Sequence, residues 1–490
     1  MHAARLNSAR ATALTLLLTL LLALSFQGTR GLWGPDEGRY SNIALQMLES
    51  GDWVTPRRHP EHTHFAKPPL TYWAIATSVQ LFGYHESSLR LPNALALIGT
   101  VLLLILLGRR LVPQAPWLPG LLFATSFVPF AAGNLINTDY LLTLFETLAV
   151  YGFVRLWQAD SPREAGIGRL WLWIGFGLAF LTKGPPGLLP LLPMLVWRWM
   201  QPAPRLQLVD LRALALFLLI ALPWYVLVVI KHEGLLGYFL GYEVVGRVFT
   251  DVHDRNSSWK GLLETYVPVL LLGLLPWSLF LLGRSGGLWR QRGQLRQWWQ
   301  ARAAIDRWLM IWFALPVLIF FCVRSRLPLY LLPSLVPATL LIARRLTPLN
   351  PARVRKIAWI AGISALALLA LKGYAPGAMP HSKDARELAQ MVGTHWDHRP
   401  SEIVFIEESA NYGLRFYLGV PVERVSLSPR SDPAYDSTLA SELNEDESRV
   451  WITTQNRVER VETAVAPLGY RYQVYAKLDR FVLGRMQPLP

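Results

Sequence analysis

Charge is scarce in this chain of 490 residues. Only 17% of positions are Asp, Glu, Lys or Arg, 52% are hydrophobic, and the mean hydropathy is +0.28. That balance excludes an ordinary soluble enzyme and fits a polytopic membrane protein. Cysteine is almost missing: the lone Cys322 lies within an apolar run. This rules out an intrachain disulfide and predicts a buried, inert thiol. Acidic residues are the scarcer charge, 33 against 48 Lys and Arg, for a net +15. Residues 376–490 hold 13 Lys/Arg and 16 Asp/Glu, or −3, so the remainder carries +18. The positive-inside rule and attraction to anionic lipid account for such an excess without a nucleic-acid partner.

What is abundant is apolar length and tryptophan, with 20 Trp expected mainly at bilayer interfaces. Apolar runs near bilayer-crossing length fall at roughly 11–29, 90–108, 117–133, 140–157, 170–182, 187–200, 212–230, 262–283, 308–323, 328–343 and 357–374. Residues 1–29 read as a retained first helix, because the apolar stretch is long and no small-residue cleavage site follows it. Residues 70–84 add an interfacial or re-entrant helix. Loops 109–116, 158–169, 198–212, 284–307 and 344–356 carry 2, 2, 3, 6 and 5 Lys/Arg. They alternate with loops 30–89, 134–139, 183–186, 231–261 and 324–327. With the N-terminus inside, every basic connector is cytoplasmic, and eleven crossings leave the C-terminal part outside. Segments 170–200 and 308–343 are then hairpins, with Lys183 at one outer tip and Arg324 and Arg326 at the other. Cations on the outer face are candidates for holding an anion there, or else lipid-phosphate anchors.

Residues 376–490 read as a small soluble α/β domain. Strands are expected near 402–407, 449–453 and 471–483, and helices near 412–418 and 457–468. It contains no phosphate-binding glycine loop and no spaced set of metal ligands. Residues 1–375 form the membrane part, with large outer loops at 30–89 and 231–261.

The first outer loop is the most informative stretch. It opens on Trp33-Gly34-Pro35-Asp36-Glu37-Gly38-Arg39-Tyr40 and closes on Phe65-Ala66-Lys67-Pro68-Pro69-Leu70-Thr71-Tyr72-Trp73. From about Gly38 to Glu49, Tyr40, Ile43, Ala44, Met47 and Leu48 recur at helical spacing, as in an amphipathic surface helix. Asp36 could be that helix's N-cap and Glu37 a partner for its dipole. Lys67 could snorkel to headgroups, and Asp139 could cap the next helix. Taken together, Asp36, Asp139 and several cations on one face make a site for a phosphorylated substrate. The carboxylates would orient or deprotonate an acceptor or bind a cation, and the cations would hold a phosphate. His59, His62 and His64, with Glu61 among them, are candidate metal ligands, though without the spacing of a helical HExxH pair.

The run PDEGRYSNIALQMLESGDWVTPR followed by FAKPPLTYW resembles the bacterial aminoarabinose lipid A transferases. It also resembles the wider group related to protein O-mannosyltransferases. NTDYLLTLF, FLTKGPPGLLP, YEVVGRVF, YVPVLLLGLLPW and RSRLPLYLLP agree in order over about residues 30–340. The resemblance implies a C-type (GT-C) fold of about 11–13 transmembrane helices with a small C-terminal α/β extracytoplasmic domain. It implies a glycosyltransferase of the bacterial inner membrane. Such an enzyme moves a sugar, for instance 4-amino-4-deoxy-L-arabinose, from undecaprenyl phosphate to lipid A or another envelope glycan or protein at the periplasmic face. On this resemblance Asp36 and Asp139 are the catalytic acids, and Glu37 is a further catalytic candidate beside Asp36. Lys67, Arg326 and either Arg247 or Arg255 meet the donor phosphate, and Lys183, Tyr40 and Tyr330 support them. Arg326 stands where the family usually has lysine. No nucleotide is required, and a divalent metal is an open option. Two other readings compete. A transporter of anionic lipid would place polar residues near the midplane and show an inverted repeat, and neither is evident. A membrane scaffold would leave Asp36, Lys67 and Asp139 unexplained.

Overall fold

The computed structural model describes residues 2–202, 206–246, 250, 256–282, 295–396, 398–429, 435–443 and 448–490. Among these, five helices are long and apolar enough to cross a bilayer: Glu86–Leu111, Pro162–Lys183, Ala304–Cys322, Pro328–Leu346 and Pro351–Ala378. Leu211–Ala221 and Pro223–Lys231 make a sixth if their 42° bend is one broken span. Other expected crossings are shorter, as Ser8–Leu24 and Leu191–Met200 are, or interrupted or charged. Residues 117–133 divide into Leu118–Ala124 and Phe127–Gly133. The helix Asp139–Trp157 carries Asp139, Glu146 and Arg155.

By packing, the chain separates into two compact units. The first is Met1–Ser25, Ala66–Thr71 and Leu91–Leu371; the second is Phe26–Phe65, Tyr72–Arg90 and Lys372–Pro490. Most of the outer loop that the sequence assigns to the membrane part therefore groups with the C-terminal residues.

In the first unit a glycine seam sets the register of two antiparallel helices. A Cβ on Gly152 would overlap the backbone at Leu172, one on Gly168 the backbone at Leu156, and one on Gly175 the backbone at Ala149. Small residues at such points let helix backbones touch in an apolar medium, where close packing replaces hydrophobic drive. Followed along the pair, the register brings the first residue of Asp139–Trp157 beside the last residue of Pro162–Lys183. Gly184 (φ +72°) then ends the second helix, and a 3-10 turn over Pro185–Leu188 seats Gly187 against the Ala179 backbone. The chain thus doubles back where the sequence places a hairpin tip. The break at 323–327 is also as expected, between Ala304–Cys322 and the 3-10 turn Pro328–Ser334. One expectation about side chains changes. Cys322 is exposed, because it ends a helix whose apolar surface is mostly uncovered by the chain. Trp197, Trp277 and Trp308 are fully buried against other side chains. Trp308 stacks with Phe153 and Trp312 inside the helical packing.

The second unit is built on a six-stranded sheet of order β3-β2-β1-β4-β6-β5. The strands are β1 Ile403–Ile406, β2 Val422–Ser426, β3 Ser437–Thr438, β4 Val450–Thr454, β5 Tyr470–Leu478 and β6 Phe481–Pro488. β3, β2, β1 and β4 run parallel, while β6 is antiparallel to β4 and to β5. Ile403 and Phe405 pack on one face with Leu388 and Val392 of the helix Ala385–His395; Val404 and Ile406 pack on the other with Val461 and Val465 of Val458–Val465. Burial on both faces is why β1 reads as an unbroken apolar run. The helix Asp36–Ser50 belongs to this unit and starts two residues earlier than expected. A Cβ on Gly38 would overlap the Gly413 backbone, so the glycine of the PDEGRY run permits that approach. Arg415 pairs with Glu49, and Gly31 N–H donates to Asp384 Oδ2 at 3.0 Å.

Candidate functional site

Asp36 and Glu37 are adjacent in sequence and opposite in circumstance. Successive helical residues point about 100° apart, so one faces outward and the other into the unit. The Asp36 side chain is 53% exposed and pairs with Arg39. It makes no cap; Pro35 holds the N-cap position. The Glu37 side chain is 3% exposed. Its Oε1 accepts from Arg30 Nη2 at 2.9 Å and Arg90 Nε at 3.1 Å. Its Oε2 accepts from Trp33 N at 2.9 Å and Arg90 Nη2 at 3.1 Å, and also pairs with Arg30 Nη1. Burial alone would raise the Glu37 pKa. The charges and hydrogen bonds of Arg30 and Arg90 outweigh it and hold the carboxyl well below its usual range. Arg90 also donates to the carbonyls of Gln27 and Gly31, both at 2.6 Å, so the network ties the start of the outer loop together. Tyr40 is buried, its ring 5.9 Å from that of Tyr72.

In the first unit Lys183 and Asp139 form a buried ion pair. Lys183 Nζ also lies 4.2 Å from the centroid of the Tyr330 ring, within cation–π range. Asp139 is not the cap of its helix. Asn137 Oδ1 takes that work, accepting from Tyr140 N at 2.9 Å. Glu146, two turns further along, is buried within electrostatic reach of Lys183 and Asp139. Arg326 is buried, and its Nη1 donates to the carbonyls of Asn256, Ser257 and Ser258 at 2.9, 2.9 and 3.0 Å. Among the described residues its Nε has no hydrogen-bond partner, nor has the hydroxyl of Tyr266, which lies within electrostatic reach of Tyr330, Arg326 and Asp139. Buried polar atoms are normally satisfied, so two such donors around one ammonium suit a polar ligand. Lys67 donates to the Ala66 carbonyl at 2.9 Å. Arg247 and Arg255 lie outside the described residues.

The structure therefore gathers Asp139, Lys183 and Tyr330, with Arg326 nearby, in one unit, and Asp36, Glu37 and Tyr40 in the other. Sequence reasoning missed Arg30, Arg90, Glu146 and Tyr266. Glu146 had a visible signal, a carboxylate inside an apolar run. Arg30 and Arg90 had none, since their partner is set by tertiary packing.

Residues 66–227 match the family model described as dolichyl-phosphate-mannose-protein mannosyltransferase. The undecaprenyl phosphate-alpha-4-amino-4-deoxy-L-arabinose arabinosyl transferase of Edwardsiella ictaluri is 34% identical over 66% of this chain and 58% of its own length. The transferase of the same name from Aeromonas salmonicida is 30% identical over 74% of this chain and 64% of its own. The chain thus spans less than two thirds of either relative. Among solved structures, ArnT from Cupriavidus metallidurans bound to undecaprenyl phosphate superposes with a TM-score of 0.76 at 20% identity, covering 96% of this chain and 97% of that one. The Archaeoglobus fulgidus oligosaccharyltransferase superposes with a TM-score of 0.50 at 13% identity, over 95% and 72%. These likenesses show the fold, a polytopic helical membrane protein with a small C-terminal sheet domain, as the sequence leads one to expect.

Proposed function

We propose that the chain, which is similar to the aminoarabinose transferases and matches the protein mannosyltransferase family model over residues 66–227, transfers a sugar from a polyprenyl phosphate carrier to an acceptor of the cell envelope. The aminoarabinose carried by undecaprenyl phosphate is the leading donor, by likeness to the relatives' printed names, and lipid A is the leading acceptor by the resemblance of the sequence motifs to the aminoarabinose lipid A transferases. The observation that carries the reading is the buried Lys183 ammonium, held by Asp139 and Tyr330 near an Arg326 Nε that has no partner among the described residues. An ammonium buried in an apolar unit is costly unless it serves an anion. A donor phosphate entering there would take hydrogen bonds from Lys183, Arg326 and Tyr266, with Lys67 adding positive charge. As the acceptor oxygen bonds to the anomeric carbon, the bond from that carbon to the phosphate oxygen breaks. The electron pair leaves on the polyprenyl phosphate, whose developing charge those cations stabilise. By the resemblance of its PDEGRY run, Asp36 would orient the acceptor, and take its proton where the acceptor is a hydroxyl. Glu37, its oxygens engaged by two arginines, positions the Asp36 helix instead of reacting.

The test is transfer in proteoliposomes given radiolabelled undecaprenyl-phosphate aminoarabinose and lipid A. Label should move to lipid A. Label reaching a Ser/Thr peptide instead would favour the mannosyltransferase-like acceptor, and label remaining on the carrier with every acceptor would end the proposal. Lys183→Met should weaken donor retention at least about tenfold, near 1.4 kcal/mol; equal retention would remove Lys183 from the phosphate site.

The basic connectors support an N-terminus in the cytoplasm and a C-terminal domain in the periplasm. A reporter fused after Tyr374 should be active only outside the cytoplasm. Activity inside would overturn the eleven-crossing topology.

A further inference from the structure

Away from the residues given roles above, the second unit gathers a mixed set of imidazoles and carboxylates. Residues 57–63 form a tight hairpin: Arg57 and Thr63 are bridged, Arg58 N donates to His62 O at 3.0 Å, and His62 N donates to His59 O at 3.1 Å. The turn sets the two imidazoles side by side, their centroids 5.4 Å apart. Arg58 of the hairpin pairs with Asp436, which fixes the hairpin on the sheet domain. Opposite stand Glu402, just before β1, and Glu423, the second residue of β2. Parallel strands bring the two together, since Ile403 pairs with Val422 and Val404 with Glu423. Glu442 completes a trio whose carboxylate oxygens lie within 4.8 Å of one another.

Two contacts join the imidazoles to the carboxylates: His59 Nε2 is 2.9 Å from Glu402 Oε1, and His62 Nε2 is 3.8 Å from Glu423 Oε1. Donors bound tetrahedrally at about 2.0–2.2 Å stand roughly 3.3–3.6 Å apart, between those two values, while the donor atoms of His59, Glu61 and His62 and those of Glu402, Glu423 and Glu442 each lie within 4.8 Å of one another. Ligand-orienting partners are also present. Arg449 Nε and Nη1 hold Oε2 of Glu402 and of Glu442, each at 3.0 Å, and the Ser437 hydroxyl donates to Glu423 Oε1 at 2.6 Å. Such outer contacts fix the orientation of first-shell carboxylates. Glu402 is only 6% exposed, and its two oxygens face a base each, Oε1 the His59 imidazole and Oε2 the Arg449 guanidinium. On the far side of the His59 ring, Glu61 N is 3.4 Å from Nδ1, too long to fix the tautomer.

We propose that His59, His62, Glu402 and Glu423 bind one divalent transition-metal ion, zinc first, which staples the 57–63 hairpin to the β1–β2 edge. Two imidazoles select zinc or cobalt over calcium or magnesium, which prefer all-oxygen shells. One dication beside Arg449 also offsets the three crowded carboxylates. The site would be structural, since the arrangement closes on protein ligands.

The full chain, purified in detergent, stripped with EDTA and dialysed, is given Co2+ or Zn2+. About one ion per chain should stay bound through gel filtration, with a cobalt absorption band that zinc abolishes. His59→Ala/His62→Ala should lose that equivalent and the band. Glu423→Gln, which keeps the side chain's shape, should weaken binding at least about tenfold. Zinc should raise the melting temperature of the wild type and leave that of the double variant unmoved. If the wild type gives no cobalt band, or if both variants bind as it does, the site does not exist.

Discussion

Asp36→Asn is expected to reduce sugar transfer to a hydroxyl acceptor by about 10²- to 10⁴-fold, the usual contribution of a positioned general base. The loss should fall on kcat, with retention of the lipid donor unchanged. Chemistry alone cannot choose between the adjacent acids Asp36 and Glu37, but the environment can. A base needs an oxygen lone pair open to a substrate proton. Glu37 is 3% exposed and spends both oxygens on Arg30, Arg90 and the Trp33 amide, whereas Asp36 is half exposed with Arg39 as its ion-pair partner. Asparagine keeps the shape and can still orient a hydroxyl, but it cannot take up a proton. A smaller effect is expected with a phosphate acceptor, which is already an anion. The ratio of the two losses therefore reports the acceptor's chemistry. Full transfer to a hydroxyl by Asp36→Asn would exclude the carboxylate from catalysis.

Glu37→Ala is expected to destabilise the second unit by about 3–5 kcal/mol, as when one partner of a buried ionic network is removed. Two guanidinium groups would then remain buried without their counter-charge, and Arg90 is among the largest fully buried side chains. Thermal unfolding, or proteolysis within 26–65, should register the loss. Replacing Arg30, Glu37 and Arg90 together by apolar residues of similar volume should recover much of it, because the cost lies in orphaning charge. The acid limb gives a separate reading. The Glu37 pKa in the folded chain lies well below its ordinary value of 4.5. Its stabilisation is present above about pH 4.5 and disappears as pH falls from there toward the folded value. Glu37→Gln should flatten that limb. Wild-type melting and wild-type acid sensitivity in Glu37→Ala would show that the network contributes little.

Much of the architecture is legible in the sequence where the signal is local. The breaks at Gly184 and at 323–327 follow from the basic connectors on both flanks, and the helix over 38–49 and the strands β1 and β4 from hydrophobic period. β2 was not foreseen, because Glu423 and Arg424 at its centre mask its alternation, and Glu423 is nevertheless buried. The helix Ala385–His395 was missed as well, hidden by a polar outer face. What the sequence could not disclose are partners far apart along the chain: Gly31 with Asp384, His59 with Glu402, Arg90 with Glu37. In each, one member looks like an unremarkable surface residue until folding supplies the other.

The seam between Asp139–Trp157 and Pro162–Lys183 carries a consequence at a distance. Gly152 is 13 residues from Asp139 in one continuous helix, about 20 Å at 1.5 Å per residue. A slip of one position there would rotate the helix by about 100° and swing the carboxylate away from its ammonium. The seam works as the pivot of a long lever. A methyl group added at Gly152 or Gly168, far from any reacting atom, would therefore emerge as a chemical lesion at the opposite end.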